Sequence, residues 1–130
     1  AIDKLQKAID GKLVKANYYM GEAYSKQGDG DNASKYYQAY LDSGEADAYD
    51  LFNMGQSQME QGNYATAITY FDAALDLDEV PNKQELMKNE IIAYEYSGDF
   101  ASAKECMEDY IEEYPDDSDA EREYQFLETR

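Results

Sequence analysis

A chain of 130 residues with 29 acidic against 11 basic side chains, a formal charge of −18, repels nucleic acid and anionic membranes. Its 43% apolar content argues against a disordered tail and suits one domain with a core, while the absence of histidine removes the usual general base, metal ligand and pH switch. The single cysteine, Cys106, has no partner for an internal disulfide and falls in an apolar helical pattern, so it reads as a packed, inert thiol that leaves the redox compartment open.

Residues 1–13 open with Ile2, Leu5 and Ile9 at helical spacing. Ala8-Ile9-Asp10 matches Tyr40-Leu41-Asp42 and Ala74-Leu75-Asp76, so this segment reads as the end helix of a truncated preceding unit. Because the chain is in this pattern from Ala1, it reads as a piece of a longer protein, with apolar surface at its N-terminal end.

A repeat follows. Met20 and Met54, Gly21 and Gly55, Gly28 and Gly62, Ala33 and Ala67, Tyr37 and Phe71, and Leu41 and Leu75 each stand 34 residues apart. In a third copy, Gly98, Ala103 and Met107 follow Gly62, Ala67 and Phe71 at an interval of 36. The two extra residues fall around 78–82, where Pro81 marks a break. The copies span 14–47, 48–81 and 84–117, and residues 118–130 form a final helix.

Each copy carries two helical stripes about a turn. In the second, Leu51, Met54 and Gln58 share one face, and Tyr64, Ala67, Ile68, Phe71, Ala74 and Leu75 form the stripe of the next helix. Gly28-Asp29, Gly62-Asn63 and Gly98-Asp99 mark the turns: glycine ends one helix and Asp or Asn caps the next. An aromatic follows the cap in two copies (Tyr64, Phe100) and Gly30 in the first, which predicts a less well anchored first turn. Ser118 and Glu121 read as a capping box for the last helix, whose Ala120, Tyr124 and Leu127 share one face while Glu121, Arg122, Glu123 and Glu128 face water.

These residues resemble the tetratricopeptide repeat pattern of large-x2-Leu-Gly-x2-Tyr, then Ala-x3-Phe, then Pro. Copy one has Asn17, Met20-Gly21, Tyr24, Ala33 and Tyr37; copy two has Leu51, Met54-Gly55, Gln58, Ala67 and Phe71. Copy three has Met87, Glu90-Ile91, Tyr94, Ala103, Met107 and Pro115, with Ile91 where the small residue belongs. The resemblance implies an all-α fold: one domain of antiparallel helix-turn-helix hairpins in a right-handed superhelix, or α-solenoid, over residues 1–130. It also implies a concave groove lined by the first helix of each copy, where a peptide or protein segment binds.

Carried over by register, copy one supplies Lys15, Tyr18, Glu22, Ser25 and Lys26 to that groove. Copy two supplies Tyr49, Phe52, Gln56 and Met59, and copy three supplies Glu85, Lys88, Ile92, Glu95 and Tyr96. Helical periodicity points these positions away from the hairpin core. Their aromatic and acidic content predicts a partner with apolar or aromatic anchors beside basic residues. The alternative is that the rings pack laterally between hairpins. The family's carboxylate clamp of Lys, Asn and Arg is argued against, because Tyr18, Glu22, Gln56, Glu85 and Asn89 stand in the corresponding places and Glu in place of a cation would repel a carboxylate.

Other chemistry finds little support. Asp29-Gly30-Asp31 resembles the start of a calcium loop, but Ser34 and Tyr40 stand where that loop needs Gly and Glu. With no histidine to activate a Ser or Cys, and with Glu105, Glu108, Glu112 and Glu113 on a solvated face, no enzyme, metal or cofactor is expected. Nothing approaches the roughly 20 apolar residues of a membrane span. The chain therefore reads as soluble, cytoplasmic by default, or else as an extracytoplasmic domain tethered through a segment before Ala1. The competing function is a structural module that packs on itself, through its N-terminal end, or on the rest of a parent chain.

Overall fold

The computed structural model describes residues 14–128; the helix expected over 1–13 and its apolar end lie outside them. The described residues form seven α-helices and no strand: α1 (Lys15–Lys26), α2 (Gly30–Asp42), α3 (Ala48–Glu60), α4 (Tyr64–Leu75), α5 (Lys83–Ser97), α6 (Phe100–Glu113) and α7 (Ser118–Glu128). Each helix packs on the next, and α1 also packs on α3, so the hairpins α1–α2, α3–α4 and α5–α6 stack as a helical-hairpin solenoid closed by α7.

The turns within the hairpins share one geometry. Gly28, Gly62 and Gly98 adopt φ of 77°, 79° and 86°, the left-handed region where a side chain would be strained. The N–H after each glycine donates five residues back, Asp29 to Tyr24 O, Asn63 to Gln58 O and Asp99 to Tyr94 O, at 2.8–3.0 Å. Asp29 and Asp99 then accept from the Asn32 and Ser102 N–H groups, as expected of caps. Asn63 does not: its Nδ2 donates instead to Gln58 Oε1 at 2.8 Å.

Two further local expectations are corrected. The first turn is held without an aromatic, because bare Gly30 lets Gln61 and Asn63 of the next turn close over it, and Gln58 Nε2 donates to its carbonyl. The cap of α7 is Asp117, not Ser118: Asp117 Oδ1 accepts from Ala120 N at 3.2 Å. A capping box does occur at α3, where Asp47 and Asp50 each accept from the other's N–H.

Packing inside each hairpin rests on a pair sixteen residues apart. A Cβ on Gly21 would overlap the ring of Tyr37, and one on Gly55 would stand 2.7 Å from Phe71 Cδ1 and Cζ. The bare backbone of the first helix thus receives the ring of the second, and both rings are fully buried. In the third hairpin the pair is Ile91 and Met107, both buried. The branched side chain on α5 is accommodated by exchanging the rigid ring for a flexible thioether.

Neighbouring hairpins are joined by side-chain bonds at close to the repeat interval. Asn53 Nδ2 donates to Tyr18 OH at 3.2 Å, Gln56 Nε2 to Asn89 Oδ1 at 2.7 Å, and Asn82 Nδ2 to Ala48 O at 3.2 Å. Ser25 and Ser57 share a hydrogen bond across α1 and α3.

The core divides in two. One apolar cluster runs from Ala33 and Tyr37 to Leu86 and Ala93, and a second joins Ile91, Ala103, Met107, Tyr110, Ala120 and Leu127. Between them on α5 stands Glu90, at the repeat position of the buried Met20 and Met54 and itself 7% exposed. Cys106 Sγ donates to Glu90 Oε1 at 3.6 Å, while Oε2 has no hydrogen-bond donor. Burial first, then the adjacent Asp72 carboxylate, pushes the Glu90 carboxyl up to about 8. Burial and the Glu90 charge push the Cys106 thiol up to about 12, which agrees with an inert thiol.

Candidate interaction groove

The first helices α1, α3 and α5 carry the residues that register assigns to a groove. Their surroundings divide them into three kinds.

The α1 residues are tied into the hairpin. Lys15 Nζ donates to Asp50 Oδ1 at 2.7 Å and to Tyr40 OH at 3.2 Å, and lies 4.6 Å from the Tyr18 ring centre. Desolvation works against its charge, but the Asp50 and Tyr40 hydrogen bonds outweigh it and hold Lys15 above the ordinary lysine value. Glu22 Oε1 accepts from the buried Tyr37 OH at 2.6 Å. Tyr18 is half-buried on Tyr37 and Tyr40, with ring centres 6.1 and 5.7 Å away. Only Lys26, at the end of α1, is broadly exposed.

On α3 the set is mixed. Phe52 and Met59 are half-buried against the first core cluster, and Gln56 is the donor to Asn89. The rings of Tyr18 and Phe52 thus pack on the second helices of their own hairpins, Tyr18 on Tyr37 and Tyr40 and Phe52 near Phe71. Tyr49, by contrast, is 55% exposed.

On α5, Glu85 and Lys88 are exposed, Glu95 is half-buried, and Ile92 and Tyr96 are 41% and 67% exposed. Lys88 Nζ lies 3.5 Å from Asp117 Oδ2 and faces the Tyr110 ring. Tyr96 leans on Tyr64 with ring centres 5.7 Å apart. Sequence reasoning did not foresee the α7 side of this region. Ala120, Asp119 and Glu123, assigned only to a cap, line a cleft with Lys88, Ile92 and Tyr96.

Asp50 is the polar hub beneath α1 and α3. Burial alone would raise its carboxyl, but bonds from Lys15, Tyr40 and the Asp47 N–H hold it below the usual range. Asp50→Ala leaves the Tyr40 hydroxyl without its acceptor and the Lys15 ammonium without its counter-ion. The variant is expected to lose about 1–3 kcal/mol in urea unfolding. An unchanged midpoint would mean that water replaces these contacts without cost.

Two tetratricopeptide repeat family models match the sequence, one over residues 18–82 and the other over residues 58–122. This chain belongs to the tetratricopeptide repeat family. Comparison with curated proteins gave no match. Tetratricopeptide repeats generally mediate protein–protein interaction, and the family is typically a non-catalytic scaffold. No helix among the described residues is long and apolar enough to cross a membrane, and none of them form a group of three Cys, Asp or Glu side chains able to hold a metal ion.

Proposed function

We propose that this tetratricopeptide repeat chain is an adaptor that holds a protein or peptide segment against the exposed side of α3 and α5. The observation that carries this reading is the placement of apolar surface. Five large apolar side chains stand exposed among the described residues, and three of them, Tyr49, Ile92 and Tyr96, belong to the register-assigned groove. Rigid rings in such positions are the side chains that dominate binding energy at interfaces. The acidic Glu85 and Glu95 on α5, in a chain of charge −18, favour a partner with basic residues beside its apolar anchors.

The test is titration of a captured partner against the Tyr49→Ala, Glu85→Lys double variant. Both side chains are exposed, so the melting temperature should be unchanged. Affinity should fall by about tenfold or more. Unchanged affinity, or a concentration-dependent dimer that buries Tyr49 in sedimentation, would remove the adaptor reading.

A further inference from the structure

We infer that α7 is a wall of a ligand cleft as well as the end of the solenoid, and that the cleft between α5, α6 and α7 takes an apolar side chain from a partner segment flanked by lysine or arginine. This rests on the adaptor reading and adds to it a location and a partner chemistry.

The cleft has a volume of about 430 Å³. That lies at the low end of ligand pockets, ~300–1,000 Å³, and suits one or two side chains better than a cofactor. Its floor is buried core: Ile91 from α5, with Met107 and Tyr110 from α6. Its walls are Ile92 and Tyr96 on α5, both exposed, and Ala120 on α7. Ala120 is the small side chain that keeps the cleft open, since any larger residue there would project toward the floor.

The rim decides the occupant. Glu95, Asp117, Asp119 and Glu123 line the cleft against the single cation Lys88. Lys88 is drawn to Asp117 and the Tyr110 ring, so its charge is largely answered within the site. Arg122 sits on Asp119. Four carboxylates to one ammonium make the lining acidic beside an apolar floor and the exposed Tyr96 ring, which can receive a cationic head group. An acidic or C-terminal carboxylate ligand would be repelled. An apolar anchor with lysine or arginine on either side satisfies both the floor and the rim.

The probes are nine-residue peptides with one central phenylalanine or leucine between paired lysines. The same peptides with glutamate for lysine, or alanine at the centre, serve as comparisons. Binding to the full chain is read by fluorescence anisotropy and by amide NMR shifts. The lysine-flanked peptides should bind, with shifts centred on Ile92, Tyr96, Ala120 and Glu123. The comparison peptides should bind about tenfold or more weakly. Glu123→Lys and Ile92→Ser, both at exposed positions, should each weaken binding by about three- to tenfold without lowering the melting temperature, and salt should weaken it further. Ala120→Leu should also weaken binding by filling the cleft.

Equal binding of lysine- and glutamate-flanked peptides would overturn the inference. So would shifts confined to Tyr49 and Phe52, although the adaptor reading would then stand. Absence of binding by every peptide overturns the cleft alone; the adaptor reading falls separately, on an unaffected Tyr49→Ala, Glu85→Lys variant. A dimer whose shifts map to Ala120 and Ile92 would assign the cleft to a second copy of the chain and overturn the proposal.

Discussion

Gly55→Ile lowers stability by about 1–3 kcal/mol, and adding Phe71→Met recovers part of the loss. Glycine inside a helix ordinarily costs about 1 kcal/mol relative to alanine, so replacing it in an open helix would stabilise the protein. Here the new Cβ meets the buried Phe71 ring, and the γ carbons of isoleucine extend further into it. The ring is fully buried and has no open side into which to turn, so α3 and α4 must separate. The third hairpin already contains the compensated pair, Ile91 with Met107, and it remains buried. Copying that pair into the second hairpin should therefore give a favourable coupling of about 1–2 kcal/mol in a double-mutant cycle read by urea unfolding. A Gly55→Ile protein as stable as the parent would sink the close-packing argument. A double variant no better than the sum of its parts would sink the account of the third hairpin.

Glu90→Met stabilises the protein by about 1–3 kcal/mol at pH 8–9, with little gain at pH 4. Methionine is what the first two copies carry at this place, as Met20 and Met54, both fully buried. Glu90 instead sets a carboxyl between two apolar clusters. It faces Asp72 of α4, Asp76 just beyond the end of that helix and Cys106 of α6, with Tyr94 on its own helix, and no cation among the described residues forms a salt bridge with it. Its buried Oε2 has no hydrogen-bond partner, so a negative charge on this carboxyl would be poorly answered. Burial, followed by Asp72, raises the folded carboxyl to about 8 from an ordinary 4.5. The folded state therefore holds a proton that the unfolded state has released across that interval. Stability attributable to Glu90 is unaffected below about pH 4.5, falls as pH rises through the interval, and reaches its minimum above pH 8. The carboxylates distant from Glu90 are common to both proteins, so the difference between the two stability–pH curves reports Glu90 and the groups coupled to it. Parallel curves from pH 4 to 9 would show that Glu90 is solvated and ionised in the fold.

Much of this architecture was legible in the residues. Glycine at 28, 62 and 98 needs only local backbone geometry, and all three take the left-handed conformation, although Asn63 does not cap its helix as Asp29 and Asp99 do. The face shared by Leu51, Met54 and Gln58, and the buried Ala67, Phe71 and Ala74, follow from helical period alone. The sequence pattern sets the cap of α7 one residue late, because Asp117 and Ser118 are both good caps and the choice between them depends on how the chain leaves α6. The apolar stripe that periodicity gives α4 omits Tyr70, which is fully buried, with its hydroxyl reaching Ser34 of the preceding hairpin.

The candidate site was legible only in outline. Register named the helices, but it could not separate Tyr49, exposed, from Phe52, packed near Phe71, because both stand outside the stripe that seals their own hairpin. Nor could it show that Ala120 and Glu123, more than twenty residues beyond Ile92 and Tyr96, face the same cleft. Turn formation and the face a helix hides from its partner are set by interactions within one hairpin, a few residues apart along the chain. Exposure, clefts and the burial of Glu90 depend on how one hairpin lies against the next. That contact joins residues one repeat apart, and only the folded stack decides it.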